Sequence, residues 1–150
     1  MLAAVFAAGA DDDLTRLLAR ADAVTELLQT EDGANLLTAY RRAANILRIE
    51  ERKDGPYRQP PARGLLHDPQ EIALAHALDT ADHEFAPRFA NEDFAGAMAP
   101  MAGLRAPLDA FFDRVTVNAP EPELRRNRLC LLNRVRSTMD RVADFSRIEG

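Results

Sequence analysis

The sequence predicts an all-α domain, a helical bundle of about six or seven helices, and three observations carry that expectation. Apolar residues recur with helical periodicity along the chain, whereas period-2 alternation is confined to the short run Val115 to Val117. Helix-start and helix-stop signals punctuate the sequence at helix-like intervals. With 150 residues, 47% hydrophobic and 29% charged, the chain has the make-up of one soluble globular domain large enough to enclose a core.

The opening MLAAVFAAGA lacks the positively charged start of a secretory signal and is too short to span a bilayer, so it reads as a helix packed on the rest. Asp11 to Asp13 place acids at a helix start, ahead of the periodic run Leu14, Leu17, Leu18, Ala21, Val24 and Leu28. TEDG at 30–33 breaks the chain before a second helix over about 34–50. There Leu36, Leu37, Tyr40, Ala43, Ala44 and Leu47 share a core face, and Arg41, Asn45 and Arg48 line the opposite one at i, i+4 and i+7.

Residues 51–67, with three prolines and two glycines, read as a long exposed loop within the single domain 1–150. Asp68 as N-cap, Pro69 at the first helical position and Glu71 at the third then start a helix that should run to about Phe85, short of Pro87. Two shorter helices over about 91–102 and 105–113 follow, and the loop 114–120 leads into a last helix from Pro122 to about Met139.

A net charge of -5 excludes a surface uniformly coated in positive charge, but not a local basic face, because phosphates respond to charges within about 8–10 Å. The last helix carries such a bias, five arginines against two glutamates from Glu121 to Arg136. Its apolar stripe is Leu124, Leu131, Val135, Met139 and Val142. Arg126, Asn133 and Ser137 lie opposite, with Asn127 and Arg134 on an adjacent strip. Arg128 projects among the leucines, where a charge needs a partner, and Asp113, Asp144 or another acid would supply it. Arg125 and Arg136 flank the core and could reach outward.

Two readings of these polar stripes stand: solvated helix faces, or guanidinium groups gripping phosphates with amides between them reading bases or sugars. Phe111 and Phe112 read as core, one ring inward and one under the following loop, with base stacking as the alternative. His76, Asp79 and His83 share a helix face, but positions seven apart stand about 10 Å from each other, too far for one metal ion. The single cysteine, Cys130, excludes an internal disulfide and suits a reducing compartment, hence the cytoplasm. No phosphate-binding loop, nucleophile elbow or carboxylate cluster appears, so the sequence offers neither a catalytic nor a metal site.

The runs DGANLLTAYRRAANIL at 32–47, LDAFFDRVTVNA at 108–119 and LRRNRLCLLNRVRSTMDRVADFSRI at 124–148 resemble the C-terminal, DALR-like anticodon-binding domain of the bacterial glycyl-tRNA synthetase beta subunit. An arginyl-type domain is similar around LRRNRLCLL but closes differently. The matching positions are Tyr40, Arg41, Arg42 and Asn45, then Phe111, Phe112, Asp113, Arg114 and Val117, and finally Arg126, Asn127, Arg128, Leu129, Leu132, Asp144, Phe145 and Ser146. Asn118 departs from the pattern, standing where an apolar residue is expected.

The resemblance implies a piece of a longer beta subunit that engages the anticodon region of glycine tRNA. It also implies an alpha subunit that activates glycine with ATP and magnesium within a heterotetramer, no cofactor in this piece, and no membrane. Combined with the helical projections, it gives Arg41, Arg42, Asn45, Arg48, Arg125, Arg126, Asn127, Asn133 and Arg134 as candidate RNA contacts. Tyr40, Phe111, Phe112, Asp113, Arg128 and Asp144 are the structural set. The competing expectation is a structural module, whose helices dock domains or subunits of a synthetase and whose arginines pair internally.

Overall fold

A computed structural model of the chain describes residues 14–142. The helix expected over MLAAVFAAGA and the positions Asp144, Phe145 and Ser146 lie outside the described residues. Among the described residues six α-helices run in order: α1 (Leu14–Gln29), α2 (Glu31–Asp54), α3 (Pro69–Ala90), α4 (Phe94–Ala102), α5 (Arg105–Arg114) and α6 (Pro122–Asp140). A 3-10 turn at Arg63–Leu65 lies between α2 and α3, and residues 115–117 are loop. α2 packs against α1, α4, α5 and α6, while α3 packs against α4, α5 and α6. Leu36, Leu47, Leu74, Leu78, Leu108, Phe111, Leu129 and Leu131 are sealed in the core that results.

Where α1 meets α2, the segment TEDG is a junction rather than a break. Thr30 alone separates the helices, and its hydroxyl accepts from the Gly33 N–H at 3.0 Å as an N-cap should. A Cβ on Gly33 would stand 1.8 Å from the Leu27 carbonyl oxygen, so only glycine lets the helices approach this closely. Glu31 and Asp32 join the first turn, and α2 extends to Asp54, past the expected end at Glu50. On α1, Leu17, Ala21 and Val24 are buried as the periodicity expects, but Leu14 and Leu18 are 62% and 44% exposed.

The capping box of Asp68 and Glu71 starts α3. The expected stop before Pro87 does not occur, and α3 runs through that proline to Ala90. A proline inside a helix forfeits one backbone bond. Here the last turn is held by its rings: Phe89 stacks on Phe85 at 4.8 Å and meets Phe94 edge-on at 5.0 Å.

The segment 51–67 is helix over its first four residues, and the remainder is a strap, exposed at most positions, that runs against α6 through its 3-10 turn. Tyr57 is fully buried, its hydroxyl within hydrogen-bond reach of both the Glu50 carbonyl, at 2.8 Å, and the Asp54 carboxylate. Apolar anchoring of this kind is invisible to a count of prolines and glycines. Among the described residues no helix is long and apolar enough to cross a membrane.

Candidate nucleic-acid interface

α6 carries five arginines, more than any other helix, and the fold turns nearly all of them toward neighbouring side chains. Arg125 donates to Glu50 at 2.8 Å and to Asp54 at 2.8 Å, and also reaches Asn118 and the Tyr57 hydroxyl. Asn118 donates to Glu50 at 2.9 Å, which accounts for an amide at a position expected to be apolar. Hydrogen bonds from Asn118 first and Arg125 second hold the buried Glu50 carboxyl at about 2, below its ordinary 4.5. Arg125, then Tyr57, hold Asp54 at about 2 as well, below 3.8.

Arg134 binds Asp79 at 2.6 Å and Asp82 at 3.1 Å, and Arg63 of the strap reaches Asp79 from the other side at 2.6 Å. Burial would raise the Asp79 carboxyl, but these two guanidinium groups outweigh it and hold it below its ordinary value. Asp79 is thus an ion-pair partner rather than a companion of the exposed His76 and His83, and no cluster able to hold a metal ion occurs among the described residues.

Asn127 was expected to face outward with Arg126. It is instead 5% exposed, its side-chain amide accepting from the Ala62 N–H at 2.7 Å and donating to the Ala62 carbonyl at 3.2 Å. Arg126 lies half-buried over the Tyr57 ring at 5.3 Å, within reach of the Asp54 and Pro56 carbonyls. Asn133 accepts from Arg136, which also grips Glu51 at 3.1 Å. Arg125, Asn127 and Arg134 are therefore corrected from outward-facing groups to internal ties, because the strap and α3 cover the strips that a bare helical projection leaves open.

Arg128 is buried and bonds Glu71 at 3.0 Å and the Thr116 carbonyl at 2.7 Å. Its acids are Glu71 and Asp68 rather than Asp113, which is exposed at the far end of α5. Tyr40 is buried and donates to Asp140 at 2.9 Å. Phe111 is fully buried and Phe112 half-buried, the rings meeting edge-on at 5.7 Å.

An open basic run lies on α2. Asn45, Arg48 and Arg52 are exposed and follow one another along a single helix ridge, with the half-buried Arg41 at its N-terminal end. One strip over, Arg42 is exposed and sets its guanidinium 4.4 Å above the Phe112 ring. Beside this pair opens a cleft of about 390 Å³ between α2 and α5, lined by Asn35, Arg42, Arg105, Asp109, Phe112 and Asp113 among others.

Sequence reasoning missed Arg105, Asp109 and Asn35 because they come from separate segments that only the fold brings together. It also missed Arg20, a buried arginine whose guanidinium donates to the Val142 carbonyl at 2.7 and 3.0 Å and lies over Phe89. Its one signal was a charge on the buried side of α1, next to Ala21 and Val24.

A helical bundle with its α6 arginines tied internally and an open basic ridge on its second helix fits an all-α domain of the anticodon-binding class. The chain belongs to the DALR anticodon binding domain family, whose model matches residues 36–146. It is 57% identical over 152 residues to the glycine–tRNA ligase beta subunit of Rhodospirillum centenum (strain ATCC 51521 / SW), a match covering 100% of this chain and 21% of that protein. The glycine–tRNA ligase beta subunit of Phenylobacterium zucineum (strain HLK1) is 50% identical over 150 residues, covering 100% and 22%. That of Dinoroseobacter shibae (strain DSM 16493 / NCIMB 14021 / DFL 12) is 51% identical over 141 residues, covering 93% and 20%. The chain thus spans about a fifth of the length of the curated relatives it matches.

Proposed function

We propose that this chain is the tRNA-binding module of a glycine–tRNA ligase beta subunit and engages the anticodon stem-loop of glycine tRNA. The observation that carries this reading is the exposed α2 ridge, Asn45, Arg48 and Arg52, in a member of an anticodon-binding family whose α6 arginines are tied to neighbouring groups. Phosphates would lie along the ridge. The loop bases, unpaired and therefore readable at their edges, would face Arg42 and Phe112. In the whole enzyme, the rest of the beta subunit and an alpha subunit complete a heterotetramer that joins glycine to tRNA with ATP and magnesium in the cytoplasm.

The test is a titration with the anticodon stem-loop of glycine tRNA against an anticodon-swapped transcript across a range of salt. The cognate stem-loop should bind more tightly, and binding should weaken steeply with salt. Equal, weak affinity for the two would sink the assignment.

A docking role has its own support in Leu14 and Leu18, two exposed leucines one turn apart on α1. That face is on a different helix from the ridge. A module that docks through α1 and binds RNA through α2 accommodates both.

A further inference from the structure

Resting on the anticodon reading, we propose that Arg136 is a positioning residue for the RNA-binding ridge. It holds the Glu51 carboxylate against α6, and so keeps the Arg48 guanidinium on α2 free for a phosphate.

The spacing along α2 sets up a competition. Glu51 stands three residues beyond Arg48, a separation at which an acid and a base on one helix meet and pair. The other helix neighbours three or four residues from Glu51 are Leu47, Asp54 and Gly55, so Arg48 is the ridge cation that this acid can take. An untied Glu51 would occupy Arg48 and set a negative charge beside the phosphates, within the about 8–10 Å over which exposed charges act. Arg48 nevertheless has no partner among the described residues, and neither has Arg52.

The cause lies on α6, which packs along α2. Arg136 meets Glu51 with both arms of its guanidinium, Nη1 to Oε1 and Nη2 to Oε2, each at 3.1 Å. Both carboxylate oxygens are therefore occupied, in the two-pronged geometry that arginine favours. Nη2 also donates to the Asn133 side-chain oxygen at 2.7 Å, which fixes the guanidinium plane from one turn back along α6. The Arg136 and Glu51 side chains are 27% and 25% exposed, so the pair lies in the seam between the two helices, beside the ridge rather than on it. An ion pair this close to water adds little to stability. Its larger consequence is the charge that the ridge presents: Glu51 is neutralised in place, and Arg48 and Arg52 face solvent uncompensated.

The experiment titrates this 150-residue chain and its variants with the anticodon stem-loop of glycine tRNA across a range of salt. Arg136→Met removes the clamp, and should weaken binding by about three- to tenfold and lower the logarithmic salt slope by about 0.7, the contribution of one phosphate contact. Adding Glu51→Gln to Arg136→Met should restore both values although the clamp is still missing, because a neutral amide does not compete for Arg48. Arg136→Lys, which keeps a cation opposite Glu51, should fall between the unaltered chain and Arg136→Met. A loss that Glu51→Gln does not repair overturns the proposal, since it places Arg136 itself on the RNA or in support of the fold. Unchanged binding in Arg136→Met overturns it as well, and either result leaves the anticodon reading standing. If the unaltered chain binds no stem-loop, the anticodon reading fails, and the clamp is judged by NMR. The Arg48 Nε–H signal should then shift in Arg136→Met and return when Glu51→Gln is added; the same signal in all three proteins overturns the clamp.

Discussion

Arg128 and Glu71 meet at 3.0 Å in the interior, 6% and 0% exposed, and the pair joins α6 to the first turn of α3. Glu71 also accepts from the Asp68 N–H as the return arm of the capping box, so one carboxylate serves both helix start and tertiary contact. Arg128→Ala removes the buried cation that faces the Glu71 carboxylate, and should cost about 3–5 kcal/mol in urea unfolding. Replacing both partners with apolar residues of similar size, Arg128→Met with Glu71→Leu, should recover much of that loss, because desolvation of the pair is removed along with its attraction. A double variant no more stable than Arg128→Ala would show that the cap, rather than the charge, dominates.

Acid should find the Glu50–Asp54–Arg125 cluster. Both carboxyls lie at about 2 in the folded protein, against 4.5 and 3.8 ordinarily. A carboxyl with a lowered folded value contributes stability that is fully present above the ordinary value and is lost as pH falls toward the folded one. Melting temperature should therefore be flat in this respect above about pH 5, and should fall between about pH 4.5 and 2. Arg125→Met should lower the plateau and shrink that acid-dependent loss. An unchanged acid limb in the variant would place the linkage on other carboxylates.

The helices were legible because periodicity and caps are local: α3, α4, α5 and α6 begin within a few residues of their signals. α3 outran Pro87 because the Phe85, Phe89 and Phe94 rings lie together only after folding. The exposed ridge was legible on α2, because it depends on one helix alone. On α6 the same reasoning marked Asn127 and Arg134 as outward, since no projection of α6 contains the strap or Asp79 that cover them. An arginine near acids distant in sequence reads as a ligand contact until those acids are placed.

That division makes the two sets of arginines separable by experiment. Arg48→Ala and Arg52→Ala, on the exposed ridge, should each reduce the logarithmic salt slope of stem-loop binding by about 0.7 and leave the melting temperature nearly unchanged. Arg134→Ala breaks contacts at 2.6 and 3.1 Å, and should cost about 1–2 kcal/mol of stability with little change in the salt slope. Isothermal titration and thermal melts on the same samples distinguish them. A salt slope reduced by Arg134→Ala alone would move the interface to α6.

Asn127 is the tie that the last prediction cuts. Its amide meets both the N–H and the carbonyl of Ala62, closing the strap over a cavity of about 220 Å³ whose lining includes Cys130 and Leu65. The Cys130 side chain is 5% exposed and burial pushes its thiol upward, so at neutral pH it is protonated, shielded and slow to react. Asn127→Ala leaves two backbone groups unpaired at a half-closed edge, at a cost of about 1–3 kcal/mol. Beyond Tyr57 the strap is held by Asn127, by the Arg63–Asp79 pair and by the half-buried Leu66, so cutting the Asn127 tie should loosen it without melting the bundle. Labelling of Cys130 by a thiol reagent should therefore accelerate by about tenfold or more in Asn127→Ala, with tryptic cleavage at Arg58 and Arg63 rising alongside. Far-ultraviolet circular dichroism should be preserved in the same sample. Faster labelling with lost helicity would mean that Asn127 supports the whole bundle, and equal labelling rates in the two proteins would mean that Tyr57 and Arg63 suffice to hold the strap shut.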